Sequence, residues 1–190
     1  ELPRLHFDRH IYIPLLLERE GITMNPPGLT KSEADFVRDL CAYWKAEKDK
    51  ALAGKELFLL RNLSRGRGVG FFEERGFYPD FILWVLYTQE NTQRIVFVEP
   101  HGMLHAKAYI HEEKARLWER LPNLAEEIGK RSKHPNNIQL DAFIISATPF
   151  NELQKRYGNG TWDREKFAKN HILFFERNNS YDHIKKLLGV

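Results

Sequence analysis

The sequence predicts a three-layer α/β domain, in which a central mixed sheet of about five strands lies between two layers of helices. Two apolar runs, residues 81–86 and 95–98, have the length and the β-branched or aromatic content of buried strands. Segments with helical periodicity alternate with runs of this kind along the chain. The predicted order is helix, three strands, helix, strand, short helix, strand, helix. We expect the first three strands to form a meander and the fourth to be reached by a crossover.

Composition sets the broad class of the protein. The chain has 190 residues, of which 42% are hydrophobic and 29% charged, as in an ordinary globular domain. The net charge of +3 permits a nucleic-acid partner without requiring one. The single cysteine, Cys41, excludes an internal disulfide and suits a reducing cytoplasm. No apolar run approaches the roughly 20 residues of a membrane span, so we expect no membrane partner.

The first part of the chain predicts a connector and then a capped helix. Residues 1–29 contain a strand-like piece near residues 10–17 and a Pro-Pro-Gly turn, and we interpret them as a lead-in arm to a domain of residues 30–190. Because the chain opens on Glu1, we interpret it as a fragment of a larger protein. Thr30 and Glu33 have the spacing of a capping box, and an apolar stripe follows to about Lys50.

The later elements follow from the same rules. Residues 55–62 predict a strand, and residues 63–70 a loop in which Arg65 and Arg67 alternate with glycines. This loop is suited either to approach a phosphate or to form a solvated hairpin connection. We expect a helix over residues 108–131 that Pro122 kinks or splits. A strand over 138–146, a short helix over 161–169 capped by Thr161, a strand over 171–176 and a helix over 180–188 complete the domain.

Two carboxylates mark the ends of the central strands. Asp80 opens the first apolar run and Glu99 closes the second, so antiparallel pairing would bring them together at one rim of the sheet. Two carboxylates held close together cost free energy unless a cation neutralises them, and Mg²⁺ binds in this way. His101 lies two residues after Glu99 and projects to the same face of an extended strand. The alternative is that each acid pairs separately with Arg75, Arg94 or a lysine.

These residues resemble a known family. Asp80 follows Pro79, and Glu99-Pro100-His101 comes after 18 intervening residues, which resembles the PD-(D/E)xK nuclease signature. More narrowly, residues 59–62, 69–73, 76–84 and 95–102 resemble the endonuclease-like C-terminal domain of type III restriction (Res) subunits and related DEAD/DEAH-box helicases. The resemblance covers most of the chain from Thr30 onward. It implies a restriction-endonuclease-like core.

The resemblance implies an Mg²⁺-dependent endodeoxyribonuclease acting on double-stranded DNA. Asp80 and Glu99 would be metal ligands together with the main-chain carbonyl of Pro100, and Glu33 matches a glutamate that often joins the metal shell. Glu33 would then act in the site instead of capping the helix, or the cap would fall to Asp35 with Ser32. The implied partners are an upstream helicase domain, which would bring a requirement for ATP, and a methyltransferase subunit.

The sequence departs from the family pattern at His101, where the family has lysine. Histidine can accept a proton near neutral pH, and it can ligate a metal, which would favour Mn²⁺ over Mg²⁺. Lys107 could instead supply the missing ammonium group. The residues expected to meet the DNA backbone are Arg61, Arg65, Arg67 and Lys107.

Two other functions remain open from the sequence. A nuclease-like module without activity would bind DNA or brace a motor domain, and the histidine at position 101 favours this reading. A zinc enzyme would use His101, His105 and His111, although their spacing of four and six residues lacks the paired helical geometry of known zinc sites.

Overall fold

The chain forms a mixed sheet with helices on both faces. The computed structural model describes residues 4–7, 10–12, 15–18, 20–21, 27–63, 69–70, 78–103, 113–131, 137–157, 160–175 and 180–190. Within them the sheet has six strands. The predicted three-layer α/β class is therefore confirmed, and a short N-terminal strand adds to the five expected from the sequence.

The elements have the following bounds. The strands are β1 (His10–Tyr12), β2 (Lys55–Arg61), β3 (Phe81–Tyr87), β4 (Thr92–His101), β5 (Ile138–Ser146) and β6 (Ile172–Phe174). The helices are α1 (Lys31–Glu47), α2 (Glu113–Arg131), α3 (Phe150–Arg156), α4 (Arg164–Lys169) and α5 (Asp182–Leu188).

Strand order in the sheet follows the order of the chain, from β1 to β6. β2, β3 and β4 pair antiparallel and form the predicted meander. β5 lies parallel to β4, and α2 makes the crossover between them, also as predicted. β1 and β6 pair parallel with their neighbours and are the two outer strands.

The two faces of the sheet bury different helices. On one face, α1 and α5 pack on the sheet through a core that includes Phe36, Leu40 and Leu187. On the other, Leu117 and Leu121 of α2 pack on β3, β4 and β5, and α3 and α4 cover β5 and β6. Alternate residues of each central strand enter opposite cores, because side chains of a strand project to opposite faces. This is why β3 and β4 read as almost continuous apolar runs.

Part of the N-terminal stretch belongs to the same fold. β1 extends the sheet beside β2, and Phe7, Leu15 and Leu29 are buried in the core under α1. The Leu29 N–H donates to the Leu16 carbonyl at 2.6 Å, which joins the end of this stretch to its middle. Its expected role as a lead-in from an upstream motor domain stays a prediction.

The structure differs from the prediction in two elements, α4 and α3. Asp163, not Thr161, caps α4, because its side chain accepts the Lys166 N–H at 2.7 Å. α3, with Pro149 as its N-cap, is a further helix that the sequence analysis does not predict. α2 is one continuous helix through Pro122, so of the two effects expected of this proline the split is excluded. The predicted start of that helix, over residues 108–112, lies outside the described residues.

A buried ionic cluster lies toward the other end of β4. Arg94 donates to Asp141 through Nη2 at 2.7 Å, and both side chains are almost fully buried. His171 Nδ1 lies 3.0 Å from the second oxygen of Asp141, and its ring is stacked between Trp118 and Phe143. Burial would raise the pKa of Asp141, but the hydrogen bonds and charges of His171 and Arg94 lower it below its ordinary value. Arg94 is thus committed to Asp141, which removes it as a partner for Asp80 or Glu99.

Candidate active site

The β3–β4 hairpin brings Asp80 and Glu99 together, as the sequence predicts. Phe81 pairs with Val98, so the residues just beyond that pair, Asp80 and Glu99, face each other at one rim of the sheet. The backbone N–H of Asp80 donates to Glu99 Oε2 at 3.1 Å. Pro79 cannot donate to a ladder, and the chain leaves the sheet there.

Glu99 projects to the face that α2 covers. It follows Phe97 by two positions, and both residues line a small cavity with Pro79 and Trp118. Only 8% of Glu99 is exposed, whereas Asp80 is half-buried. A carboxylate this buried is costly unless hydrogen bonds or a cation compensate for its lost hydration.

The first turn of α1 lies against the end of β4. Ser32 Oγ donates to the main-chain carbonyl of Pro100 at 3.0 Å, which is the carbonyl that the resemblance implies as a metal ligand. A carbonyl oxygen has two lone pairs, so this bond leaves one available. Glu33 completes a capping box with the N-cap residue Thr30: its Oε2 accepts the Thr30 N–H at 3.1 Å, and the Thr30 side chain accepts the Glu33 N–H.

Arg61 connects Glu33 to the rim that carries Asp80. Its Nη2 lies 3.8 Å from Glu33 Oε2, and its side chain is only 11% exposed. Burial lowers the pKa of the Arg61 guanidinium, although the charges of Glu33 and Asp80 act in the opposite direction. The same Nη2 donates to the carbonyls of Pro27 and Gly28, at 2.8 and 3.2 Å. These contacts give Arg61 an internal bracing role, and its predicted contact with the DNA backbone stays a prediction.

Asn62 is a residue of the site to which the sequence analysis gave no role. Its side-chain amide donates to the carbonyls of Val69 and Pro79, at 2.7 and 2.8 Å, and its Oδ1 accepts the Val69 N–H. Its own backbone N–H donates to the Asp80 carbonyl at 2.8 Å. Asn62 therefore fixes the backbone on both sides of Asp80. A signal for it existed, because asparagine beside a glycine-rich loop commonly bonds to nearby backbone groups.

We expect Asn62→Ala to displace Asp80 without removing it. Loss of the amide leaves the carbonyls of Val69 and Pro79 without these bonds, at a cost of about 1–3 kcal/mol in the free energy of unfolding. If Asp80 holds a metal, the nicking activity of the Asn62→Ala variant should also fall by about 10–100-fold. A loss of this size is usual when a residue that hydrogen-bonds to a metal ligand is replaced. Thermal unfolding and plasmid nicking measure the two effects. Asn123→Ala, at an exposed position of α2, is the matched control, and an unchanged Asn62→Ala protein would contradict this role.

His101 lies at the outer end of β4 with an exposed side chain. Its main-chain carbonyl accepts the Ala147 N–H at 2.9 Å, which anchors the backbone but leaves the ring at the surface. Within the described residues, no three His, Cys, Asp or Glu side chains are grouped so as to hold a metal ion. The structure thus brings Asp80 and Glu99 together but does not gather Glu33 or His101 with them into such a group.

The remaining predicted site residues lie outside the part of the chain that the structure describes. They are Arg65 and Arg67 in the glycine-rich loop, Lys107, and the histidines His105 and His111 of the zinc alternative. Arg75, a suggested partner for the two acids, is in the same position.

The oxygen atoms at this rim fit a hard divalent cation. Mg²⁺ is commonly held by one or two carboxylates and keeps several waters, and Asp80, Glu99 and the Pro100 carbonyl offer oxygen donors of this kind. Comparison of the chain with models of protein families, with curated proteins and with solved structures finds no match. None of the helices in the described part of the chain is both long and apolar enough to span a membrane.

Proposed function

We propose that the chain is a divalent-metal-dependent endonuclease domain that hydrolyses phosphodiester bonds in double-stranded DNA. The observation that carries the proposal is the pairing of Asp80 with Glu99 at one rim, where the Asp80 N–H donates to Glu99 at 3.1 Å. Further support comes from polar side chains that fix the backbone at this rim, since Ser32 donates to the Pro100 carbonyl and Asn62 to the Pro79 carbonyl.

Each residue at this rim would have a distinct role in the reaction. Asp80, Glu99 and the Pro100 carbonyl would hold Mg²⁺ or Mn²⁺, which supplies charge neutralisation at the scissile phosphate and a water of lowered pKa. His101, exposed beside this rim, would orient the attacking water or accept its proton. Ser32 and Asn62 fix the backbone on the two sides of the site. Arg65, Arg67 and Lys107 would meet the DNA backbone.

The wider assignment follows from the same resemblance. We propose that the domain works in a helicase-linked restriction or DNA-processing protein of the reducing cytoplasm. Its upstream motor would consume ATP, and a methyltransferase subunit is a candidate partner. The experiment that tests the activity is a nicking assay on supercoiled plasmid with Mg²⁺, with Mn²⁺ and with a chelator. Nicking that needs either cation supports the proposal, and nicking that persists with the chelator contradicts it.

A second candidate function is a nuclease-like module that binds DNA or braces a motor domain without cutting. The exposed ring of His101, in place of a lysine aimed at the site, favours it. This candidate predicts DNA binding in a gel-shift assay but no nicking with either cation.

Replacing His101 with lysine distinguishes the two candidates. Lysine restores the ammonium group of the family pattern, so we expect His101→Lys to nick plasmid with Mg²⁺ at least as fast as the wild type. The nicking rate of His101→Ala should be lower by about 100-fold or more, which is the typical contribution of a general acid or base. If both variants cut at the wild-type rate, His101 has no part in the reaction. If none of the three proteins cuts, the non-catalytic module is the better assignment.

A further inference from the structure

A groove lies at the open edge of the sheet, away from the hairpin that carries Asp80 and Glu99. It has a volume of about 270 Å³ and runs between α4, β6 and α5. Ile172, Leu173 and Phe174 of β6 form its apolar wall, together with Ala168 of α4. The volume is close to the lower end of the range for small-molecule sites, which are typically apolar pockets with a few polar groups.

The polar residues of the groove are mostly basic. Arg164 and Lys186 line it from α4 and α5. The Arg164 guanidinium lies over the ring of Phe174, 5.4 Å from its centroid, and this stacking limits the freedom of the side chain. Asp182 also lines the groove, but Lys185 pairs with it at 2.9 Å. The groove therefore presents a net positive charge beside an apolar wall.

His183 adds a buried polar group to the same groove. Its side chain is 1% exposed, and neither ring nitrogen has a hydrogen-bond partner in the described part of the chain. Nε2 lies 3.0 Å from Asp39 Oδ2 but lacks the alignment of a hydrogen bond. Nε2 thus has an ionic partner in Asp39, whereas Nδ1 has neither kind of partner within the described residues. A buried polar atom without a hydrogen bond costs free energy, and a ligand that reaches Nδ1 would remove this cost.

We propose that this groove binds a small organic anion. Its carboxylate or phosphate would meet Lys186, Arg164 and His183, and its compact apolar body would contact the β6 side chains. A surface-lying DNA backbone does not fit this chemistry, because the His183 ring is buried and only a ligand that enters the groove can reach it.

The test is a titration of the whole chain followed by NMR signals of the His183 ring and of Lys186. Benzoate and phenyl phosphate are the probes for the two anionic groups, and benzamide is the uncharged analogue of the same shape. We expect saturable shifts with at least one anion and about tenfold weaker binding of benzamide, because a hydrogen bond between charged groups is lost. Equal affinity for benzamide, or no saturable shift with either anion, would overturn the proposal.

A matched pair of variants locates the site. Lys186→Met keeps an unbranched side chain only one atom shorter and removes the charge, and it should weaken binding of the anion by about tenfold. Lys169→Met is the control, since Lys169 is exposed on α4, pairs with Glu165 and does not line the groove. Equal losses in both variants would overturn the assignment. The experiment measures binding alone, so its result is independent of DNA cleavage.

Discussion

Replacing Asp80 with asparagine is expected to abolish metal-dependent nicking while DNA affinity stays nearly unchanged. The substitution keeps the size of the side chain and removes the charge that a cation needs. Replacing a residue that only supports a metal ligand already lowers activity by about 10–100-fold. We therefore expect replacement of the ligand itself to lower the nicking rate by more than about 100-fold. Asp80→Ala should behave in the same way. The measurement is plasmid nicking with Mg²⁺ and with Mn²⁺, beside a gel-shift assay of DNA binding.

Glu99→Gln extends the test to the buried partner. Glutamine keeps an oxygen that can accept the Asp80 N–H, so the local backbone is preserved and only the charge is lost. Both neutral variants should keep the fold, because each preserves the hydrogen bond from the Asp80 N–H to the side chain at position 99. Glu119→Gln, on an exposed carboxylate of α2, is the control. Cutting at the wild-type rate by either site variant would remove this pair from consideration.

The second large effect concerns the folded state. We expect Asp141→Asn to lower the free energy of unfolding by about 3–5 kcal/mol, because it leaves the buried charge of Arg94 without its counter-ion. For a chain of this length, that corresponds to a fall of about 6–20 °C in the unfolding temperature. The control is Glu126→Gln, which breaks an exposed pair with Lys130 and should leave the unfolding temperature nearly unchanged.

The same cluster gives stability a defined dependence on pH. The folded pKa of Asp141 is lowered, so its contribution is fully present above the unfolded value of about 3.9. The contribution is lost as the pH falls further through the folded pKa. Wild type and Asp141→Asn should therefore differ most near neutral pH and converge in strong acid. A difference that stays constant down to low pH would show that the carboxylate charge is not responsible.

Local sequence patterns predicted the fold because its main elements depend on nearby residues. The capping box at Thr30, the apolar runs of β3 and β4, and the crossover through α2 all have short-range signatures. The encounter of Asp80 with Glu99 was predictable for the same reason, since both acids belong to one hairpin. α3 was missed because its N-cap, Pro149, makes no side-chain hydrogen bond and so leaves no capping signature.

The contacts that could not be predicted from the sequence join residues that lie far apart in the chain. Ser32 reaches the Pro100 carbonyl across 68 positions, and Arg94 reaches Asp141 across 47. Arg61 was predicted to face DNA because an arginine near a glycine-rich loop suits a phosphate. Its bonds to Pro27 and Gly28 depend on how an earlier segment packs beside β2, which no local pattern reveals.

The strand order of the sheet has a consequence for how the protein assembles. Each strand lies beside the strand that precedes it in the chain, so the sheet can grow outward as the chain leaves the ribosome. Contacts that are close in sequence cost little loop entropy and form quickly. The β3–β4 hairpin closes over a link of a few residues, so Asp80 and Glu99 should meet before β5 and β6 exist. We therefore expect a nascent chain released after residue 131 to contain this hairpin in folded form. Arg94 has no counter-ion at that stage, because Asp141 is part of β5 and is synthesised later.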